Sequence, residues 1–157
     1  VNRALLPYIF KAIEAVAGGE KADHIDEALV DFGMPMGPIE LADQIGLDVC
    51  LDVGVVLGIA PAAKTLLTEK CDAGTIGRKS GSGFYDWDGN RAIRPRQPQD
   101  AAIMAGIVKS MLAPMIDECQ QAVDDGVVDS VDSADAGMIF GIGFPGFRGG
   151  PLNWAKS

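Results

Sequence analysis

The chain has 157 residues, 48% of them hydrophobic, which suits one ordinary domain or two small helical units with a real core. Its formal net charge of −9 argues against nucleic acid as a partner, because phosphate backbones require a basic surface. The same charge argues against docking on anionic membranes. No apolar run reaches the roughly 20 residues that a membrane-spanning helix needs, so we expect no membrane insertion.

Three cysteines and a single histidine limit the redox and metal chemistry. Cys50, Cys71 and Cys119 are odd in number, widely spaced and without a Cys-x-x-Cys pair, a pattern typical of reduced thiols in a cytoplasmic protein. His24 has no thiol near it in sequence, so we expect no metal site. A surface or capping role for His24 is favoured over a catalytic base, since no nucleophile pattern accompanies it.

Apolar residues at helical spacing dominate the first half of the chain. They predict four or five helices. These run from about Ala4 to Val16, from Asp23 to Phe32, from Pro38 to a break or kink at Gly46, over Leu47–Leu57 and over Ala62–Cys71. Pro7 fits a first turn, where its missing N–H has no cost, and Asp23 is a good N-cap. The acidic pairs Asp23/Asp26 and Asp124/Asp125 are interpreted as capping and solvated charge.

A tight apolar elbow separates the second helix from the third. The segment Phe32-Gly-Met-Pro-Met-Gly-Pro38 contains two prolines, which fix φ and lack an N–H, and two glycines, which tolerate positive φ. Such a segment cannot lie inside a helix, so it predicts a sharp turn of the chain between two helices.

The middle of the chain differs in composition. Residues 74–98 are rich in Gly, Arg and Pro and are interpreted as a long connection between two units, residues 1–98 and 99–157. Asp88-Gly89, between short aromatic arms, predicts one small hairpin. The connection carries the one basic cluster that could meet an anionic ligand: Arg78, Lys79, Arg91, Arg94 and Arg96. A solvated charged loop explains this cluster equally well.

The second unit repeats the order of the first. We expect a helix from an N-cap at Asp100 to about Val123, a helix capped by Asp132 or Ser133, and a Gly/Pro elbow over 141–151. Five matches recur in the same order: Leu5-Leu6-Pro7 with Leu112-Ala113-Pro114, Ala15-Val16 with Ala122-Val123, Asp26 with Asp135, Gly33-Met34-Pro35 with Gly143-Phe144-Pro145, and Gly37-Pro38 with Gly150-Pro151. The chain therefore contains a degenerate internal repeat.

Two glycine-rich segments resemble nucleotide-binding motifs in composition. Gly141–Gly146 spells G-x-G-x-x-G, but a dinucleotide fingerprint needs a preceding strand, a helix that opens on the third glycine and an acidic residue about 20 positions later. Pro145 lies inside the segment, so an elbow between helices is favoured. Gly74–Gly83 fails the spacing of a phosphate loop, although a basic loop that touches a phosphate-bearing ligand stays open.

Several of these segments together resemble the C-terminal helical domain of L-3-hydroxyacyl-CoA dehydrogenases, and the resemblance covers essentially the whole chain. The segments are Asn2-Arg3-x-Leu-x-Pro7-Tyr8, Glu14-Ala15, Ile25-Asp26-x-Ala28, Phe32–Pro38, Asp43, Gly46-Leu47-Asp48 and Gly77-Arg-Lys-x-Gly-x-Gly-Phe-Tyr85. Gly143–Pro151 is similar to the second copy of this domain in multifunctional β-oxidation proteins. The implied fold is all-α, with two tandem helical domains related by the repeat.

The resemblance implies NAD-dependent oxidation of (S)-3-hydroxyacyl-CoA to 3-oxoacyl-CoA, a step of fatty-acid β-oxidation. In the family, a Rossmann domain outside this chain binds NAD and carries a His–Glu pair, and an asparagine that Asn2 matches hydrogen-bonds within the catalytic site. A carboxamide suits that task, because it is neutral and does not exchange protons. The elbow is expected to help wall the acyl-CoA pocket through Phe32, Met34, Pro35, Met36 and Pro38.

Five expectations and two alternatives follow. The chain opens on Val1 without a methionine, which suggests a piece of a longer protein, and without the Rossmann domain we expect no dehydrogenase activity and no bound cofactor. The second copy carries Lys109 where the first has Asn2, so it is expected to lack a catalytic site. Apolar surface that the rest of a longer protein would cover is expected to favour a homodimer of this chain. The alternatives are the helical domain of another hydroxyacid dehydrogenase and a helical interaction module without catalytic history.

Overall fold

The computed structural model describes all residues from Val1 to Ser157. It confirms the all-α class, with eight α-helices and one small hairpin. The helices are α1 (Asn2–Ala17), α2 (Ala22–Phe32), α3 (Pro38–Ile45), α4 (Leu47–Leu57), α5 (Pro61–Asp72), α6 (Ala101–Asp124), α7 (Val131–Ile142) and α8 (Pro151–Lys156). None of them is long and apolar enough to cross a membrane.

Four predicted helix starts are wrong by one to three residues, among them that of α5, which begins at Pro61 and not at Ala62. α1 begins at Asn2, so Pro7 lies inside the helix and not in its first turn. α2 begins after Lys21, which places Asp23 in the first turn, where a carboxylate still favours the positive end of the helix dipole. The cap of α7 is Ser130, whose side chain accepts the N–H of Ser133 at 3.1 Å. A cap is set by the backbone geometry of one residue, which composition does not reveal.

The predicted hairpin is confirmed. Strands β1 (Asp86–Asp88) and β2 (Arg91–Ile93) pair antiparallel, with Trp87 opposite Ala92. Gly89 has a φ of 60° in the turn, a left-handed conformation in which glycine is favoured.

A single cluster of 27 buried residues forms the core, and it draws on both halves of the sequence. α1 packs mainly against α6, so Tyr8 and Ile9 of the first half meet Leu112 and Met115 of the second in the same buried cluster. Burial of such side chains is the main driving force of folding. The division into residues 1–98 and 99–157 stays a prediction.

The internal repeat is visible in one hydrogen-bond arrangement that occurs twice. Asp26 on α2 accepts the N–H groups of the two residues that follow Pro38, both at 2.9 Å, at the start of α3. Asp135 on α7 accepts the N–H groups of the two residues that follow Pro151, at 2.7 and 3.0 Å, at the start of α8. Each carboxylate therefore caps the helix after the next elbow, and the prediction that the two aspartates correspond is confirmed.

The two elbows also contact each other reciprocally. A Cβ atom added to Gly33 would lie 2.8 Å from the Cβ of Pro145, and one added to Gly143 would lie 2.9 Å from the Cγ of Pro35. Matched residues thus exchange partners, as they do across the two-fold axis of a symmetric dimer. The close approach requires glycine at both positions, because any side chain there would overlap with a proline.

Candidate functional site

The first elbow and α1 enclose a small apolar groove of about 220 Å³, called here the elbow groove. Its walls come from α1, the elbow, α3 and the end of α7: Leu5, Tyr8, Met34, Pro35, Met36, Leu41, Gly141 and Ile142. The groove is therefore built by both copies of the repeat, since α7 belongs to the second. Concave apolar sites of this kind, at the contact of two units, are where small molecules usually bind.

The predicted pocket residues occupy three different places. Met34, Pro35 and Met36 line the elbow groove. Phe32 is the last residue of α2, and its buried ring is directed to the second copy. Pro38 is buried as the first residue of α3. Whether any of them contacts a substrate stays a prediction.

Asn2 begins α1 with its side chain free, one helical turn before a residue of the elbow groove. It is the first residue of α1, it is exposed, and its carboxamide makes no hydrogen bond. Leu5, one turn later on the same face of the helix, lines the groove. The side chain of the preceding Val1 reaches Gly141, which also lines it: a Cβ added to Gly141 would lie 2.8 Å from Val1 Cγ2. The carboxamide of Asn2 is therefore available to a group outside this chain.

Tyr8 and Leu41 are groove residues that the sequence analysis did not identify. Tyr8 is only 1% exposed, and its hydroxyl has no hydrogen-bond partner. The sequence did contain a signal for Tyr8. Asn2, Leu5 and Tyr8 follow one another at intervals of three positions, which places them on the same side of α1. Leu41 gave no such signal, because its contact depends on the path of the elbow.

Asp26 is fully buried behind the elbow, so the interpretation of this residue as solvated charge is wrong. In addition to the two backbone N–H groups at the start of α3, it accepts the hydroxyl of Tyr85 at 2.7 Å. Burial raises the pKa of Asp26 to about 7, although these hydrogen bonds and the nearby Arg94 act to lower it. A Cβ added to Gly37 would overlap with the Asp26 carboxylate. This contact fixes the exit of the elbow into α3.

Asp43 holds the glycine-rich segment Gly77–Tyr85 against α3. Its carboxylate accepts the backbone N–H groups of Phe84 and Tyr85, at 2.9 and 3.0 Å, and the indole N–H of Trp87 at 2.9 Å. A Cβ added to Gly77 would overlap with the backbone of Asp43. Close packing against Asp43 thus explains Gly77 and Gly83, and a left-handed φ of 83° explains Gly81, so none of the three requires a phosphate.

The basic cluster is divided by its ion pairs. Lys79 contacts Asp48 at 2.7 Å, and Arg94 contacts Glu27 at 2.7 Å. An open cleft beside β2 is lined by Arg91, Arg94 and Arg96 together with Glu40. A carboxylate thus faces the three guanidinium groups, which weakens the case for an anion site there. No group of three or more potential metal ligands is present in the structure.

Comparison with known proteins gives one family and two solved structures. The family model described as 3-hydroxyacyl-CoA dehydrogenase, C-terminal domain, matches residues 1–87, a range that includes Asn2 and the first elbow. The crystal structure of 3-hydroxybutyryl-CoA dehydrogenase from Escherichia coli K12 is similar with a TM-score of 0.72 and 20% identity, over 99% of this chain and 52% of that one. The dehydrogenase part of multifunctional enzyme 1 from C. elegans is similar with a TM-score of 0.73 and 25% identity, over 92% of this chain and 36% of that one. The chain thus spans about half of the first solved chain and about a third of the second.

Proposed function

This chain belongs to the 3-hydroxyacyl-CoA dehydrogenase C-terminal domain family, and on that premise we propose that it is the substrate-docking half of an NAD-dependent (S)-3-hydroxyacyl-CoA dehydrogenase of fatty-acid β-oxidation. The observation that carries the proposal is the position of Asn2. Its carboxamide is exposed and makes no hydrogen bond, one helical turn before the groove residue Leu5, and it lies inside the range that the family model matches. We further propose a multifunctional parent protein and a cytoplasmic location, the latter on the three unpaired cysteines.

The residues of this chain do not fit NAD. The G-x-G-x-x-G segment follows the helix α7 and not a strand, and its Gly143 ends that helix in a left-handed conformation. Its third glycine opens a single turn of 3-10 helix over Gly146–Arg148 and not a long helix. In our proposal NAD and the proton-accepting residues therefore lie on a Rossmann-type domain outside these 157 residues.

The chemistry assigned to this chain is binding and orientation. Leu5, Met34 and Met36 give the elbow groove an apolar lining that suits part of an acyl chain. Asn2, exposed at the start of α1, offers two N–H donors and one carbonyl acceptor to the reacting end of the substrate or to the catalytic histidine of the other domain. A neutral amide is able to hold either partner through the reaction without taking its proton.

The test uses the natural full-length protein that contains residues 1–157. Asn2→Ala is expected to lower the kcat for NADH oxidation with acetoacetyl-CoA by about a hundredfold, the usual effect of removing one transition-state donor. Its melting temperature should not change, because Asn2 is exposed and has no hydrogen bond to lose. Lys109→Ala, at the matched position of the second copy, is the control and should keep full activity. An unchanged rate in Asn2→Ala would instead support a helical interaction module.

Two further parts of the proposal are tested on the chain alone. The purified 157-residue chain should show no sustained NADH oxidation with acetoacetyl-CoA, and measurable turnover would contradict the assignment of the reaction to another domain.

We also propose that this chain forms a homodimer through the outer face of α4, where Val49, Val56 and Leu57 are exposed. Sedimentation velocity over a range of concentrations tests this, and a monomer at all concentrations would exclude it.

A further inference from the structure

The elbow groove has no charged side chain in its lining, and part of its wall comes from the second copy. Six of its eight lining residues belong to the first copy, whereas Gly141 and Ile142, at the end of α7, belong to the second. Ile142 is half-buried, so part of its side chain is open to a ligand in the groove. The shape of the groove therefore depends on a copy that carries Lys109 at the position matched to Asn2.

The residues on both sides of Ile142 hold it in place. A Cβ added to Gly141 would lie 2.8 Å from Val1 Cγ2, and one added to Gly143 would lie 2.9 Å from Pro35 Cγ. Both glycines thus approach the first copy so closely that a side chain at either position would displace its neighbour. The backbone of Ile142 is therefore fixed relative to the first elbow, and the size of its side chain decides how much room the groove offers.

The internal repeat gives Ile142 a counterpart in Phe32. Each is the last residue of its helix, α7 or α2, and each precedes the first glycine of an elbow. Phe32 lines a cavity of about 490 Å³ between the two copies, called here the inter-copy cavity. Trp154, the fourth residue of α8, lines this cavity, as Leu41, the fourth residue of α3, lines the groove. The two concave sites therefore correspond, and each takes one wall from the helix end of the other copy.

The two sites differ in polarity. The inter-copy cavity is lined in part by Asp31, Gln99 and Arg148, the last of which lies in the longer second elbow. Such groups do not suit an alkyl chain, because covering a charged or polar group with hydrocarbon costs free energy. The elbow groove has no such group, and its walls include Met34 and Met36, whose unbranched side chains adapt to the shape of an apolar ligand. An alkyl chain therefore suits the elbow groove and not the inter-copy cavity.

We propose that Ile142 of the second copy sets the acyl-chain length that the dehydrogenase prefers, because it limits how much alkyl chain the elbow groove accepts. The inference rests on the function proposed above, since that function places an acyl chain in the groove. A methylene group is close in size to a water molecule, which takes about 30 Å³ of the liquid, so the groove of about 220 Å³ has room for about seven carbons. With the reacting carbons next to the thioester, the preferred substrate is a medium-length chain of about ten carbons.

The test uses the natural full-length protein that contains residues 1–157, assayed with NADH and 3-oxoacyl-CoA substrates of increasing chain length. Complete burial of a methylene group strengthens binding about fourfold. In a groove that is open on one side we expect about half of that free energy, so kcat/KM should rise about twofold per carbon up to about ten carbons.

Two substitutions at position 142 should move this limit in opposite directions. The length ratio is defined as kcat/KM for 3-oxodecanoyl-CoA divided by kcat/KM for acetoacetyl-CoA. Ile142→Phe introduces the residue that the first copy has at the matched position, with three more side-chain carbons, and should lower the length ratio by about eightfold. Ile142→Ala removes three side-chain carbons and should extend the rise in kcat/KM to about thirteen carbons.

Three further variants separate this effect from changes in the fold or in catalysis. Phe140→Ala changes an exposed residue of the same helix outside the groove, and Ala105→Phe adds a phenylalanine in the inter-copy cavity; both should keep the wild-type length ratio. Asn2→Ala should lower kcat/KM at both chain lengths and also keep the ratio. Because both rates in the ratio come from one sample, a reduced fraction of folded protein does not change it.

The outcomes distinguish this inference from the proposed function. A wild-type length ratio in both Ile142→Ala and Ile142→Phe, or an equal loss at all chain lengths, would overturn the role of Ile142 and leave the dehydrogenase function in place. Absence of turnover by the wild type with every substrate would contradict the dehydrogenase function, and this inference with it.

Discussion

Titration of the buried Asp26 is expected to make the protein less stable as the pH rises. The pKa of Asp26 is raised to about 7 in the folded chain, because burial penalises the carboxylate more than its hydrogen bonds compensate. In the unfolded chain it returns to 3.8. Between these values the folded state binds one proton more than the unfolded state, so the free energy of unfolding must fall with increasing pH.

The size of the effect follows from the two pKa values. Each pKa unit of difference corresponds to about 1.4 kcal/mol, so the complete shift is worth about 4 kcal/mol. Measurements should begin at pH 5, above the isoelectric point near 4.4, to keep the chain dispersed. Between pH 5 and pH 8 the expected loss is about 2.5 kcal/mol. The pKa of Asp43 is also raised, by burial, and adds to the loss.

Urea denaturation at several pH values, followed by circular dichroism, measures this loss. In Asp26→Asn the group no longer titrates, so the stability curve should become flatter by about 2.5 kcal/mol over the same range. The variant should be less stable than the wild type at pH 5, because its amide NH₂ group faces backbone N–H donors. Asp129→Asn changes the net charge equally at an exposed carboxylate without a hydrogen bond, and it should keep the wild-type slope.

Two outcomes would refute this reasoning. If Asp26→Asn keeps the full pH dependence of the wild type, Asp26 is not the titrating group. If the wild-type free energy of unfolding rises from pH 5 to pH 8, the pKa of Asp26 is lowered in the folded state. The three hydrogen bonds to the carboxylate would then outweigh its burial.

Two further predictions concern the elbow and the cysteines. Gly37→Ala should destabilise the protein by about 2–3 kcal/mol in urea denaturation, because its Cβ would overlap with the Asp26 carboxylate. Gly106→Ala, in open space on α6, is the control and should stabilise the protein by up to about 1 kcal/mol. Equal effects of the two substitutions would contradict the close contact between Gly37 and Asp26. Burial raises the pKa of Cys50 to about 12 and that of Cys119 to about 11, so a thiol reagent at pH 8 should label Cys71 first. Cys71→Ser should remove this first phase of labelling, and its persistence would show that one of the buried thiols is accessible.

The helices were predictable because their signals are local. Apolar residues at helical spacing predicted α1, α4 and α6 within a few residues of their observed bounds, and Asp100 caps α6 as expected. Where the prediction failed, the partner lies far along the sequence. Asp26 caps a helix that starts twelve positions later, beyond the elbow, and no rule on local spacing contains that contact.

The residues proposed for the candidate site were chosen from the sequence, but their grouping in space could not be predicted from it. The elbow was predicted from its prolines and glycines, and Asn2 from a resemblance to a known family. The structure brings Met34, Pro35 and Met36 of the elbow together with Leu5 of α1 in one groove. Phe32 belongs to the same motif but faces the second copy. The direction of a side chain at the end of a helix depends on the helix that packs against it, which for Phe32 is 122 residues away at Trp154.

The internal repeat explains why one chain offers two different concave sites. Both copies need a buried aspartate, a glycine and a proline to turn the chain, and these residues recur because the turn cannot form without them. The residues that line the two sites are free of that constraint. They differ accordingly, with Leu41 in one copy replaced by Trp154 in the other and Arg148 present only in the longer elbow. The repeat therefore keeps the residues that turn the chain at each elbow. The chemistry of each concave site depends on the lining residues, which differ between the two copies.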